Sequence, residues 1–495
     1  MSALSHLYPA ARLPFARLAL KCGFKITAAL TVVTLLISAS FAAEKPNLVI
    51  IFADDLGYND LGCFGADEIK TPAIDRMAKE GRRFTNFYVA APTCTPSRAA
   101  LLTGCYPVRS GIDDDVAVTA SGWRSPSRVV HPNAPFGLAQ AEVTVAEVLK
   151  QAGYQTGMVG KWHLGDAEQF NPVHQGFDEY FGVPYSNDMN PYYYLRGTER
   201  LDEELERDQQ VRRFTEESLS FIKEHKDGPF FLYVAHAMPH TPLAASEQFR
   251  DKSERGLYGD AVAEVDWSTG EILQTLRDLN LDKNTLVIFT SDNGPWLSQA
   301  EHGGSAFPFR AGKGTTYEGG MRVPCVVWQP GTVPEGTECN ELATALDVMP
   351  TFAHLAGAEP PSDRVIDGHN ITPLLMDEPG AKTPYEYFYY YFGNELHAVR
   401  SGRWKLRTKN KMINENVYSY RGAKVKDVPI PHALYDLQRD PAEQKSVFKN
   451  HPEIVERLQA ALDRAREDMG DALTGVEPTN VRPVGKIASA PAIPK

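Results

Sequence analysis

The sequence predicts an α/β fold with a mostly parallel sheet, followed by a smaller C-terminal part with a short antiparallel sheet and a helix. Three observations carry this expectation. Short apolar runs alternate with amphipathic stretches, the pattern of successive βαβ units. Several runs stop abruptly at Asp or Asn, as buried parallel strands do where they leave a sheet. Beyond about residue 380 the runs become short, aromatic and closely spaced, as in antiparallel hairpins.

The chain opens on residues 1–42, which carry Arg12, Arg17, Lys21 and Lys25 and no acid. An apolar run over 26–41 follows, and Ser40-Phe41-Ala42 places small residues where a signal peptidase cuts. The run falls short of the ~20 residues a membrane span needs, so it is read as a cleaved signal peptide rather than an anchor. The product is expected to be exported: periplasmic or secreted, or lysosomal or extracellular in a eukaryote.

The elements then follow in order. Asn47–Ala53 (NLVIIFA) is a buried strand ending at Asp54-Asp55. Helical spacing over 69–81 and 144–153 stops each time at glycine. Residues 157–165, 229–237, 284–293 and 323–329 read as further strands, and 205–225, 258–281 and 343–356 as helices. Residues 385–391, 396–400 and 404–407 form the antiparallel set, and 453–469 a final helix. The domain reading is a catalytic domain over 43–380, an α+β subdomain over 381–475 and a loose tail over 476–495.

Composition narrows the function. Of 495 residues, 43% are hydrophobic and 23% charged, which excludes a disordered or fibrous chain. Net charge is −12. Without the leader it becomes −16, from 47 basic against 63 acidic residues, so no nucleic-acid partner is expected. Six cysteines make no CxxC pair, which argues against zinc, and they are too sparse for a disulfide scaffold.

Two acidic clusters, Asp54-Asp55 and Asp292-Asn293, sit where apolar runs give out. Ligands of open parallel sheets bind at the carboxyl ends of strands, so both clusters could meet at one cation. Their donors are all oxygen, which suits Ca²⁺ or Mg²⁺. Taken singly, each aspartate is better explained as a strand-end cap or turn residue. Cys94-Thr95-Pro96-Ser97-Arg98, followed by Leu102-Thr103-Gly104, sits at a helix start, with the helix itself placed over 97–104. The alternative for Cys94 is a buried thiol, or one paired with Cys63 or Cys105. Gly160-Lys161-Trp162-His163-Leu164-Gly165 puts Lys161 and His163 on one face if the segment is a strand. His236 and His240 flank the end of the 229–237 strand. Gly312-Lys313-Gly314-Thr315-Thr316 lacks the GxxxxGK[ST] pattern of a phosphate loop.

Together these motifs resemble those of the type I sulfatases, in one order, from residue 47 to about 375, with a weaker echo at Ala433-Leu434-Tyr435-Asp436-Leu437. GKGTTYEGG is similar to the corresponding stretch of arylsulfatase A and the lysosomal galactosamine sulfatases. The resemblance implies an alkaline-phosphatase-like core with a large mixed sheet, and hydrolysis of a sulfate monoester to an alcohol and inorganic sulfate. It implies that Cys94 becomes formylglycine through a formylglycine-generating or sulfatase-maturating enzyme. It also implies Ca²⁺, in preference to Mg²⁺, held by Asp54, Asp55, residue 94, Asp292 and Asn293. Arg98 would hold the formylglycine, Lys161 would bridge it to sulfate, and His163 would take its proton. His240, chosen over His236 because it precedes x-Pro, and Lys313 would bind sulfate and assist the leaving oxygen. Glu318 and Arg322 would support their loop, and His302 either faces the substrate or, the preferred reading, is an exposed loop residue. The substrate is expected to be a sulfated small molecule or saccharide. The rivals are a phosphodiesterase or phosphonate hydrolase on the same scaffold, and a silent binder of sulfated glycans.

Overall fold

The computed structural model describes residues 45–112, 128–202, 204–412 and 428–487. The signal-peptide reading over 1–42 and the last residues of the tail lie outside them.

One large sheet organises the chain. Its strands are β1 (Asn47–Ala53), β2 (Arg82–Tyr88), β3 (Gln155–Lys161), β4 (Glu179–Val183), β5 (Leu195–Arg196), β6 (Glu199–Arg200), β7 (Phe230–Ala235), β8 (Thr285–Ser291), β9 (Arg322–Trp328), β10 (Thr337–Cys339) and β11 (Ala343–Thr344). Their order is β10-β2-β9-β8-β1-β7-β3-β4-β5-β6, with β11 also beside β2. The central run β8-β1-β7-β3-β4 is parallel throughout, and β9 runs antiparallel to β8 and β2. The sheet is therefore mixed and mostly parallel, as the resemblance implies.

Both faces of β1 are buried, which explains its unbroken apolar run. Leu48, Ile50 and Phe52 pack with helices α2 (Cys94–Thr103), α3 (Val145–Gln151) and α6 (Val348–Leu355). Val49, Ile51 and Ala53 pack with α1 (Pro72–Glu80), α4 (Gln210–Glu224) and α5 (Gly256–Asp278). The result is a helix–sheet–helix sandwich. Where β3 lies against β7 the backbones approach closely. A Cβ on Gly160 would come within 2.0 Å of the Ala235 carbonyl, and that glycine has φ 113°, so only glycine fits.

A second sheet pairs Phe388–Phe392, Glu395–Ser401, Trp404–Arg407 and Ala433–Asp436 in sequence order, all antiparallel. Helix α7 (Pro452–Met469) packs on it through Leu458, Ala461, Leu462, Ala465 and Met469. Glu318, just after the Lys313 loop, joins the two parts. It accepts hydrogen bonds from Tyr88, Tyr390 (3.1 Å) and Lys405 (2.9 Å).

Several elements differ from the sequence reading. Strand β2 went unread because Arg82 and Arg83 hide its alternation. Arg82 is nevertheless buried, and its guanidinium reaches Asp377 at 2.7 Å. Strand β3 stops at Lys161, and His163 adopts a left-handed φ of 59°, so the two do not share a strand face. Helix α2 begins at Cys94, not at residue 97. Pro96 is tolerated there because a first turn needs no N–H from it. Residues 476–487 are not loose: Arg482 pairs with Glu142 at 2.6 Å and Gly485–Lys486 pairs with Phe136–Gly137. Polar contacts and the apolar contact of Val484 with the core hold this segment, so no apolar pattern announces it.

Cys325 and Cys339 are both free. Each is the register partner of Phe84, on opposite sides of β2. An intervening strand sets them two interstrand spacings apart, roughly 9–10 Å, beyond the reach of a disulfide. Cys63, Cys94 and Cys105 are free as well.

Candidate active site

The strands that meet at the centre of the sheet deliver the candidate residues at one edge. Asp54 and Asp55 follow β1, Lys161 ends β3, His236 and His240 follow β7, and Asp292 and Asn293 follow β8. These four strands are neighbours, in the order β8-β1-β7-β3. Backbone bonds lock their ends together: Asp54 donates to the Met238 carbonyl (3.2 Å) and Asp292 to that of Ala53 (3.1 Å).

Cys94 reaches the same place from the first turn of α2, a helix buried along its whole length. Gly104, with φ 68°, closes that helix by donating to the Ala100 carbonyl. Cys94 Sγ lies 3.3 Å from Asp54 Oδ1 and 3.4 Å from Lys313 Nζ. Ligand atoms of Asp54, Asp55, Cys94 and His240 all fall within 4.8 Å of one another.

Charge is dense and ordered. Lys161 Nζ donates to Asp54 Oδ2 at 2.5 Å and Lys313 Nζ to Asp55 Oδ2 at 2.8 Å. Arg98 bonds Asp292 Oδ2 at 2.8 Å and the Lys161 carbonyl at 3.1 Å. Asn293 Nδ2 donates to Asp55 Oδ1 at 2.7 Å, and Asp292 Oδ1 accepts the Asp55 N–H at 3.1 Å. Three buried carboxylates are thus met by three buried cations, because an unpaired charge here would be costly.

These fields set protonation. Burial disfavours the Asp54 anion, but Lys161, His240 and Arg98 outweigh it and hold the carboxyl well below its ordinary value. Burial, then the Asp54 charge, pushes Asp292 up to about 7. Burial, with Asp292 and Asp54, pushes the Cys94 thiol well up, so an unmodified sulfhydryl here stays protonated and weakly nucleophilic. Burial, with Lys161 and Arg98, holds His163 well below its usual range, and burial with Lys313 lowers His240. Both imidazoles are therefore neutral near pH 7.

The oxygen-rich set fits a hard cation. Asn293 Oδ1 is buried and takes no hydrogen bond from any described residue. Asp292 is strained towards its protonated form. A dication between these groups would answer both.

Other placements sort the remaining candidates. His163 Nε2 lies 3.0 Å from the Val130 carbonyl, while its buried Nδ1 has no partner among the described residues. His236 lies behind the site, with Nε2 3.2 Å from Ser268 Oγ, and burial takes it down to about 4. His302 is exposed. Sequence reasoning missed Ser186, whose Oγ accepts from Lys161 (3.1 Å) and lies 3.2 Å from His240 Nε2. It also missed Asn187, which donates to the Ala237 and His240 carbonyls, and Trp296, which packs on His240 and Lys313. All three sit in loops without a repeating pattern, where no local signal marks them.

Comparisons with known proteins agree with this geometry. The Sulfatase family profile matches residues 46–358. A profile described as N-sulphoglucosamine sulphohydrolase, C-terminal, matches 311–468. The chain is 37% identical to human N-acetylgalactosamine-6-sulfatase, over 92% of this chain and 94% of that protein. It is 37% identical to human arylsulfatase A, over 86% and 89% respectively. A solved Bacteroides thetaiotaomicron structure, described with a locus for metabolism of multiple glycosaminoglycans, superposes with a TM-score of 0.74 at 30% identity, over 86% of this chain and all of that one. The chain belongs to the sulfatase family and is a sulfuric ester hydrolase.

Proposed function

We propose that this sulfatase acts outside the cytoplasm on sulfate monoesters of saccharides, glycosaminoglycans among them, with residue 94 matured to formylglycine and Ca²⁺ held by Asp54, Asp55, Asp292, Asn293 and residue 94. One observation carries the reading. The side chain of residue 94 lies 3.3 Å from an aspartate of the oxygen cluster and 3.4 Å from a lysine, in a buried site. A thiol held protonated there makes a poor nucleophile, which favours the modified residue.

A formylglycine hydrate supplies two hydroxyls on one carbon, one to attack sulfur and one whose deprotonation expels sulfate by C–O cleavage. The cation supplies positive charge against the sulfate and polarises a hydroxyl. The protein's own groups do the rest. Lys161 and Lys313 bracket residue 94 with positive charge where the sulfate oxygens collect charge. His163, neutral and with Nδ1 free of described partners, is the proton acceptor. Arg98, tied to Asp292, fixes charge beneath residue 94 and keeps the acidic cluster in register. His240 and Lys313 line the least buried side, where His240 orients the ester and Lys313 donates a proton to the departing oxygen.

The test is peptide mass spectrometry across Cys94 in protein from a maturation-competent host, beside paired assays on aryl sulfate and aryl phosphate esters. Formylglycine and preference for the sulfate ester are expected. An intact thiol in an active preparation, or preference for the phosphate, refutes the mechanism. A panel of defined sulfated saccharides then identifies the substrate.

A further inference from the structure

The way into this site is marked by a gradient of exposure. Asp54, Lys161, Asp292 and Asn293 are 0% exposed and Cys94, Arg98 and His163 1%, whereas His240 reaches 3% and Lys313 6%. Next outward comes Trp296, which is half-buried. Its indole centroid lies 5.2 Å from the His240 ring at 51°, and Lys313 Nζ sits 4.7 Å from it. Trp296 thus borders the least buried side of the site, in contact with both His240 and Lys313.

The backbone of the loop that carries the ring is also held in place. The Pro295 carbonyl accepts the Lys313 N–H (2.9 Å) and the Leu297 N–H (3.1 Å), and the Trp296 carbonyl accepts that of Gln299 (3.0 Å). Further along the loop, Arg255 donates to the Glu301 and Gly303 carbonyls, and Ser305 N donates to Asp60 at 2.9 Å. A loop whose backbone is fixed before binding costs little further ordering when a ligand lies on its side chain. A large flat apolar face suits the C–H face of a sugar or an aryl ring and gives an open chain little.

We propose that Trp296 is the specificity-determining wall on the leaving-group side: the ring of a cyclic alcohol, a pyranose of a sulfated saccharide, stacks on the indole while its sulfate is held among Lys161, His240 and Lys313. This rests on the saccharide-sulfate reading above and adds what the protein recognises beyond the sulfur. It differs from a role in which Trp296 only shields Lys313 and His240 from water, because shielding would act on every ester alike.

The test compares kcat and KM for a monosaccharide 6-sulfate, an aryl sulfate and ethyl sulfate in wild type, Trp296→Ala, Trp296→Leu and Trp296→Phe. Expected is a fall of about tenfold in the ring-over-ethyl ratio of kcat/KM for the Ala and Leu variants, expressed chiefly in KM. The Phe variant should recover most of that preference. Leu fills most of the volume without an aromatic face, so the comparison survives if Ala destabilises the loop. A preserved ratio, with ring and ethyl esters falling together, overturns the proposal, as does a fall confined to kcat. Failure of the saccharide reading looks different: wild type then turns over aryl sulfate but none of the saccharide sulfates, and the Trp296 question is decided on aryl against ethyl sulfate.

Discussion

Replacing Lys405 by Met should loosen the joint between the two sheets and, through it, the catalytic loop. Lys405 is 0% exposed, and its Nζ lies 2.9 Å from Glu318 Oε1, Glu443 Oε1 and the Thr316 carbonyl. Burial opposes the Glu318 anion, but Lys405, Arg400 and Arg322 keep its carboxyl below the usual range. Methionine fills similar volume and leaves two buried carboxylates short of their shared cation. Breaking a buried pair in this way costs about 3–5 kcal/mol. Spread over roughly 400 described residues at about 2 cal/mol/K each, that lowers Tm by about 4–6 °C. Thr316 follows Lys313 by three positions and its carbonyl also accepts from Arg407, so kcat should fall beyond the loss of folded protein. Thermal unfolding followed by circular dichroism, beside kcat on an aryl sulfate, measures both. Adding Glu443→Gln should return part of the stability by removing one stranded anion. A Tm within about 1 °C of wild type would refute the reasoning.

Other outcomes follow from the same structure. Lys161→Ala, His240→Ala and Lys313→Ala should each lower kcat by about 10²-fold or more on an aryl sulfate, the scale of lost charge stabilisation or proton transfer. Chelation followed by dialysis should abolish turnover, and added Ca²⁺ should restore it, read by activity and by metal content. Asp347 offers a pH test far from the chemistry. Burial raises its carboxyl to about 7 despite bonds from Tyr385, His369 N–H and Thr344 N–H. A folded value above the unfolded one means the native state binds the proton more tightly, so this contribution is full below pH ~4 and is lost as pH rises through about 7. Asp347→Asn should therefore flatten the decline of unfolding free energy between about pH 4 and 7 in denaturant titrations, and an unchanged slope would contradict it.

Much of this was legible in the residues. Strands β1, β7, β8 and β9 carry unbroken apolar runs because both faces are covered, and a run that stops at Asp or Asn names its own carboxyl end. That rule puts Asp54-Asp55 and Asp292-Asn293 at strand ends that could meet at one cation, and the sheet order that makes those strands neighbours comes only with the fold. Strand β2 was invisible because Arg82 satisfies its charge on Asp377, a partner almost 300 positions away. The resemblance of the motif over 160–165 singles out His163, but the shared strand face with Lys161 expected from alternation fails because the strand has already ended, and the folded loop brings the two together instead. Ser186, Asn187 and Trp296 act through hydrogen bonds and ring contacts made across the fold, which no spacing encodes.

At 1% exposure, Cys94 lies out of reach of any enzyme once α2 has packed into the core with the sheet and α6. Chemistry done on that sulfur by another protein must come early, while the segment is still extended and its neighbours are unpaired. If residue 94 is matured as proposed, conversion and folding compete in time, and a variant that folds faster would emerge with more of its molecules unconverted.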